Sequence, residues 1–448
     1  MKTHCGFSLL PVRFTRYPLC FFFLLGTLFF LPFASHSQNP TGTSQEPTNR
    51  DSACITYAHQ IIDSLCSTRM HGRGYVNEGD RIAAAFLKQQ FENLKLKSLK
   101  SGNSEADYFQ NFSFPVNTFP SIVRVKIGEK ELIPGKEFLV RADCPSIKGQ
   151  YELEDSISYL KGKISKKNFY LLKDQKENSS VPAGLIFIKK KLIWDASTQA
   201  ASFCRIEILD SALSSIQGLN SKGSSPTSSP SKISLEIQNR FIPNHKTQNV
   251  IAYIKGTVHP DSFIVFTAHY DHLGQMGDRV YFPGANDNAS GCALLLCLAR
   301  HYASHPPACS ITFIAFAGEE AGLLGSQYFV EHPLFQLSRI KFLINLDLLG
   351  TGDEGICVVN STIFPHQFSL LTSINGRKHY LSYIKPRGKA AISDHYFFTE
   401  NGVKSFYIYT LGGIKAYHDI YDIPQTLPLT KFTQVYNLLK DFTEELSK

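Results

Sequence analysis

The sequence predicts an α/β protein: a central sheet covered by helices on both faces, with a mostly β inserted domain. Three observations lead there. From Thr247 onward, short and nearly continuous apolar strands alternate with helical stretches, the pattern of a sheet buried on both sides. Near the other end of the chain, residues 51–94 carry two runs of helical periodicity. Between these regions, from about Pro120 to Asn244, strand-like pieces follow one another with few helical patterns. The 448 residues are enough for two or three such units. A composition of 43% hydrophobic and 19% charged residues excludes wholesale disorder, collagen and coiled coil.

In chain order, residues 1–37 read as a signal peptide. Basic residues end at Arg16, the apolar run Leu19–Phe33 follows, and small residues stand at Ala34, Ser35 and Ser37. Cleavage before Gln38 is expected, which makes the mature chain secreted or periplasmic, with no stable membrane span. An uncleaved anchor is the other reading of the run. Lys2, Arg13 and Arg16 belong to this leader and supply three of the formal +8 charges. The remainder is too mild a charge to argue for a nucleic-acid partner.

Residues 38–50 (QNPTGTSQEPTNR) form a polar linker. The first helix is expected over Asp51–Cys66, with Ile55, Ala58, Ile61, Ile62 and Leu65 on one stripe, and the second over Glu78–Leu94. The glycine-punctuated loop Met70–Asp80 joins them, and 51–119 is assigned as the N-terminal helical part of the domain completed by 247–448. Residues 120–246 are the mostly β insertion, with strands expected at Ile122–Ile127, Phe138–Val140 and Gly184–Ile188. Its Ser221–Lys232 segment, half serine, reads as a flexible loop.

Residues 247–448 carry strands at Phe263–Ala268, Ile311–Ala317, Phe342–Leu346 and Ser405–Thr410. Helices are expected at Ala293–Tyr302, Ala321–His332, Pro365–Gly376 and Thr430–Leu446. Of ten cysteines, Cys5 and Cys20 leave with the leader, and eight are too few for a disulfide scaffold in so long a chain. Spacing makes Cys54 and Cys66 the first pair to expect in a bond. Cys292 and Cys297, in an Ala/Leu-rich helix, read as buried small apolar residues. With no Cys-x-x-Cys, a thiolate metal site is not expected.

Ligands of such sheets sit at the carboxyl ends of the strands, and polar residues cluster there. FIVFTA is followed by His269-Tyr270-Asp271-His272, ITFIAFAG by Glu319-Glu320, and FLINL by Asp347; Tyr417-His418 lies past the strand ending at Thr410. Asp287 stands in GANDNASG, just before a helix. Singly, each has a plain explanation: a strand-end histidine, a helix cap, a solvated Glu pair. Together, two His and several carboxylates at one end of one sheet make the ligand set of a divalent metal.

HYDHLG, GANDNASG, AFAGEEAGLLGS, NLDLLG, SDHYFF and AYHDIYD, in this order, resemble the zinc aminopeptidase family that also contains glutaminyl cyclases and glutamate carboxypeptidases. The resemblance covers about 247–448 and extends weakly to MHGRG and YFQNFSF. It implies a mixed, phosphorylase/aminopeptidase-like central sheet and two zinc ions per chain in a dizinc catalytic domain. The insertion occupies the place of a protease-associated domain in many members, with a poor sequence match.

Carried over residue by residue, His269 and Asp347 would hold one zinc, Glu320 and His418 the other, and Asp287 would bridge them. Glu319 would be the general base. Asp271 would accept the free N–H of the His269 imidazole. His272 is not a ligand in the family pattern, and Asp422 reads as a turn or cap. Ser393-Asp394-His395 would support the site's wall, with His395 a candidate substrate contact. Many relatives place a tyrosine ahead of Ser-Asp-His to bind the oxyanion. Here those positions are Ala390, Ala391 and Ile392, which leaves Arg387 or Lys389 as candidate donors.

The chemistry needs these residue types. Zinc brings the pKa of bound water from 15.7 to about 7, and a glutamate can pass the water's proton to the leaving amine. The expected function is an exported metallo-exopeptidase that removes the N-terminal residue of peptides with a free N-terminus. The alternatives are a glutaminyl cyclase-like transferase, a carboxypeptidase using Arg387 and Lys389, and a catalytically dead binding ectodomain. The His269-x-Asp271 motif argues against the first, and the complete ligand set argues against the last.

Overall fold

A computed structural model describes residues 49–99, 108–154, 165–172, 182–216 and 232–448. The leader 1–37, the linker as far as residue 48 and Ser221–Ser231 of the serine-rich loop lie outside the described residues. The centre is an eight-stranded mixed sheet. Its order is Phe109–Thr118, Arg240–Ile254, Cys309–Phe316, His259–His269, Ile340–Leu346, Ser405–Thr410, Ile356–Val359 and Ile384–Pro386. The four strands from Cys309–Phe316 to Ser405–Thr410 run parallel, and the neighbours on either side of this block are antiparallel to it.

The parallel block is apolar because both of its faces are covered. All eight residues of Cys309–Phe316 are buried. Alternate side chains of the neighbouring strand separate cleanly. Ile264, Phe266 and Ala268 pack with the helices Asn49–Leu65, Ser290–Ser304 and Phe432–Ser447. Phe263 and Val265 pack on the other face with Phe329 and Phe398, from the helices Leu324–Glu331 and His395–Glu400. The first helix buries Ala58, Ile61, Ile62 and Leu65 of the expected stripe and leaves Ile55 half-buried; the second, Gly79–Asn93, buries Ala83, Leu87 and Phe91 and leaves Ile82 exposed.

Four central-sheet strands are not among those expected, Ile356–Val359 and Ile384–Pro386 at one edge and Phe109–Thr118 and Arg240–Ile254 at the other. Phe109–Thr118 is an edge strand within the part read as helical, and its register shifts between Phe114 and Val116, around Pro115. A proline donates no ladder bond, so it sits at the irregularity, and it also obscures the strand signal. Its partner Arg240–Ile254 starts ahead of the expected 246/247 boundary and pairs with it from Thr118↔Arg240 to Phe109↔Val250. The chain therefore leaves one strand of the central sheet at Thr118 and returns on its neighbour at Arg240.

Between these points lies a second eight-stranded sheet with its own core of Val125, Phe169, Ile186, Ile206 and Ile233. The expected strands appear as Val123–Ile127, Phe138–Val140 and Gly184–Lys189. The expected Cys54–Cys66 pairing is not formed. Both thiols are free, and Cys54 instead lies by Cys297, whose Sγ is 3.5 Å from the Cys54 carbonyl oxygen. Both suspected partners sit on or just past one helix, where spacing alone does not bring thiols together. The sulfurs of Cys144 and Cys204 stand 3.0 Å apart. Among the described residues no helix is long and apolar enough to cross a membrane.

Candidate metal centre

The carboxyl ends of the parallel strands bring His269, Asp287, Glu319, Glu320, Asp347 and His418 to one cavity of about 240 Å³, with Leu323, Leu348, Ile392, Tyr407 and Tyr417 among the walls. A larger groove of about 560 Å³, lined by Leu132, Ile133, Val280, Tyr281 and Ile420, gathers no such cluster. Asp287 stands between the two imidazoles: its Oδ1 is 3.2 Å from His269 Nε2 and its Oδ2 is 3.1 Å from His418 Nε2. Asp347 Oδ1 lies 3.4 Å from His269 Nε2, and Glu320 Oε2 lies 3.1 Å from His418 Nε2.

These separations fit a pair of dications. Two ligand atoms at about 2.1 Å from one tetrahedral ion stand roughly 3.4 Å apart. The donors of His269, Asp287 and Glu320, and those of His269, Glu319 and Asp347, each lie within 4.8 Å of one another. Asp347 Oδ1 is buried with no hydrogen-bond partner, as an atom reserved for an ion would be.

Both imidazoles face the cavity with Nε2 because Nδ1 is engaged. His269 Nδ1 donates to the Asp271 backbone carbonyl at 3.2 Å, and His418 Nδ1 donates to the Trp194 carbonyl at 3.0 Å. This corrects the role expected for Asp271. Its carboxylate is 3.8 Å from His269 Nδ1. It accepts instead from the backbone N–H of Glu319 (3.2 Å), that of Glu320 (3.3 Å) and the Tyr75 hydroxyl (2.6 Å). The acid holds the turn that carries the Glu pair, while its own carbonyl orients the histidine.

The rest of the frame is equally specific. Asp422 is more than a turn residue: it accepts from the backbone N–H groups of Asn286 (2.8 Å) and Asp287 (3.0 Å). Arg73, fully buried, donates to the carbonyls of Tyr270, Pro283 and Gly284 at 2.6–2.8 Å. Ser393 donates to Asp347 Oδ2 at 3.0 Å, and His272 Nδ1 donates to Glu320 Oε1 at 2.6 Å. Gly291 is required where the helix meets the strand end, since a Cβ there would lie 2.2 Å from Asn288 Oδ1.

His395 is fully buried against Tyr407 and off the cavity wall, so it is not the substrate contact that its motif suggested. Arg387 and Lys389 are engaged elsewhere, with the Tyr409 hydroxyl and with Glu400. The hydroxyls on the cavity wall belong to Tyr407 and Tyr417.

The field divides the two glutamates. Burial would raise Glu320, but above all the His418 charge, with the His272 bond, holds it down to about 2. Burial raises Glu319 well above the usual carboxylate value against the pull of His269, and Asp394, Glu320 and Asp347 add to the rise. One neighbour stays a carboxylate; the other has a high proton affinity. Asp287, which burial alone would raise, is drawn well below its usual value by the bonds to His269 and His418. Burial would depress both imidazoles. Glu319 and Asp347 outweigh it at His269, and Glu320 with Asp195 and Asp287 at His418, so both rise well above 6.5.

Sequence reasoning missed Arg73, Tyr75, Trp194 and the holding role of Asp422. MHGRG and AYHDIYD flagged two of these places, but the contacts join positions over a hundred residues apart in the chain.

Residues 249–443 match the model of Peptidase family M28. Over 114 residues the chain is 42% identical to aminopeptidase YwaD of Bacillus subtilis, covering 25% of this chain and 24% of that protein. A probable zinc metalloprotease of Pyricularia oryzae is 40% identical over 114 residues, covering 25% and 23%. The match thus spans about a quarter of the length of these curated relatives. The fold is shared along almost the whole chain with BSAP, a zinc aminopeptidase from Bacillus subtilis (TM-score 0.65, 19% identity, 90% of this chain and 96% of that one). It is shared also with a peptidase M28 precursor from Shewanella amazonensis (TM-score 0.66, 14% identity, 90% and 98%). The resemblance carried by the six motifs is borne out over the matched segment 249–443.

Proposed function

We propose, from the M28 segment at 249–443 and the cavity it builds, that this chain is an exported dizinc aminopeptidase acting on peptides with a free N-terminus. The observation that carries the reading is the carboxylate of Asp287 shared between His269 and His418, each with a further carboxylate, Asp347 or Glu320, on its other side. Bound there, zinc supplies Lewis acidity that makes water a nucleophile near neutral pH and polarises a peptide carbonyl. His269 and Asp347 would hold one ion, Glu320 and His418 the other, and Asp287 both.

The remaining work falls to the chain itself. Glu319, on the cavity wall beside the ligand cluster, would take the proton of the attacking water and return it to the leaving amine. The cavity wall is acidic, with Glu319, Glu320 and Asp347 on it, which favours a substrate that brings an ammonium group over one that brings a terminal carboxylate. At about 240 Å³ the cavity is smaller than sites for drug-sized ligands, which favours one terminal residue over an extended segment. A carboxypeptidase would need a free cation for the terminal carboxylate, and Arg387 and Lys389 are both engaged and off the wall.

The test compares one peptide with free and acetylated N-termini, with mass spectrometry following release from each end, on protein whose zinc content is measured. Two zinc per chain and release of the first residue from the free peptide alone are expected, by a wide margin, because a site built for a polar group can reject its absence by about 10⁴–10⁵-fold. Equal cleavage of both peptides, or release from the carboxyl end, refutes the aminopeptidase reading. One zinc with full activity refutes the bridging role of Asp287. Export is tested by N-terminal sequencing of the same preparation, which should begin at Gln38.

A further inference from the structure

Among the described residues, the insertion touches the candidate ligand His418. The segment from Lys191 to Ser197, between the strands Gly184–Lys189 and Cys204–Leu209, runs beside the loop that carries His418. Trp194 and His418 exchange two hydrogen bonds: the Trp194 N–H donates to the His418 carbonyl at 2.9 Å, and His418 Nδ1 donates to the Trp194 carbonyl at 3.0 Å. Lys191 Nζ donates to the Lys415 carbonyl at 2.7 Å and lies 3.2 Å from the Asp419 carboxylate. Trp194 is itself fixed. Its indole N–H donates to the Val140 carbonyl at 2.7 Å, and its ring stacks on Phe282 at 4.8 Å between centroids.

The two imidazoles are therefore held differently. His269 ends a central strand, and its Nδ1 is bound within its own loop, by Asp271. His418 stands on a loop outside helix and strand, with a φ of 51° that a non-glycine residue adopts only when its surroundings impose it. A carbonyl can only accept, so the Trp194 carbonyl puts the proton on Nδ1 and leaves the Nε2 lone pair to the cavity, while fixing the plane of the ring. Lys191 and Trp194 both lie outside the matched segment 249–443.

The geometry points to the insertion as a positioning element for one half of the metal centre: through Trp194 and Lys191 it sets the orientation of His418, and so the affinity of the ion that His418 shares with Glu320 and Asp287. This rests on the two-metal reading above. The insertion is then a working part of the site, and whatever displaces the Lys191–Ser197 segment releases one ion selectively.

The test is chelator competition on the zinc-loaded full-length protein, resolving the release of each ion, with thermal melting as a check on folding. Trp194→Ala keeps the backbone carbonyl but removes the ring and indole N–H that fix it, so it should loosen one zinc several-fold, short of the roughly 10–100-fold of losing the partner behind a metal-bound histidine outright, and leave the other unchanged. Trp194→Phe, which keeps the stack on Phe282, should recover most of the loss. Lys191→Met, at a side chain 43% exposed, should loosen the same ion several-fold in a protein of unchanged melting temperature. Two zinc ions held as tightly as in wild type, or both loosened alike, overturns the assignment. If Trp194→Ala does not fold, Lys191→Met decides by the same criterion. A wild type that holds a single zinc refutes the two-metal reading instead, and the positioning role then stands or falls on whether Lys191→Met loosens that ion.

Discussion

Asp271→Asn separates two roles for this acid that the local sequence does not distinguish. The carboxylate has three donors: Glu319 N–H on Oδ1, Glu320 N–H and the Tyr75 hydroxyl on Oδ2. An amide of the same shape presents one oxygen and one NH₂. With the NH₂ at Oδ1 it faces the Glu319 N–H; with the NH₂ at Oδ2 it faces the Glu320 N–H. Tyr75 can turn its hydroxyl to accept, but a backbone N–H cannot. At least one buried donor therefore loses its partner, at about 1–3 kcal/mol, and the turn that aims the Glu pair is the part that relaxes. The Asp271 backbone carbonyl survives the substitution, so His269 keeps its tautomer. The expected variant is less stable in urea by about that amount and loses turnover by roughly 10–100-fold, while the ion held by His269 and Asp347 stays bound. Urea melts, zinc release and kcat on an N-terminal amino-acid anilide read the three quantities. Loss of the His269-side ion with the Glu pair still active would refute this reasoning and restore the carboxylate–imidazole contact expected from the sequence.

Two further outcomes are expected. Glu319→Gln should retain zinc and lose about 10²–10⁴-fold in kcat, since the amide keeps the shape and cannot accept a proton, whereas Glu320→Gln should weaken zinc first; near-normal turnover of Glu319→Gln refutes its assignment as the base. Burial holds the His395 imidazole down to about 3, against 6.5 in the unfolded chain. The unfolded state therefore binds the extra proton between these values, so the stability from this group is complete above pH 6.5 and is lost as pH falls toward 3, by at most about 1.4 kcal/mol per pH unit. Urea melts of metal-free protein at pH 4–7 should be less pH-dependent for His395→Gln than for wild type, and parallel curves refute the linkage.

Much of this protein was determined by the sequence alone. The parallel block was legible because strands covered on both faces must be apolar along their whole length, as Cys309–Phe316 is. The cavity residues were legible because the chain places polar side chains where those strands stop. His269 ends its strand, and Asp347, Glu319 and Glu320 follow theirs within four residues, so local pattern and position in the sheet coincide. The strand Phe109–Thr118 was not legible: an edge strand broken by Pro115 has neither a continuous apolar run nor a clean alternation. Nor was the thiol arrangement, since Cys54 meets Cys297 across 243 residues of chain.

Tertiary structure alone decided how the side chains are aimed. Whether the Asp271 carboxylate or its carbonyl meets His269 is a matter of rotamer and turn geometry within one residue, which no spacing rule distinguishes. That His418 is held by Trp194, Asp287 by Asp422 and the surrounding loops by Arg73 depends on buried hydrogen bonds between segments 135–224 residues apart. A hydrophobic pattern records which face of an element is covered. It does not record which donor meets which acceptor, because one buried polar group can be satisfied by any correctly placed partner, and the placement comes from the fold.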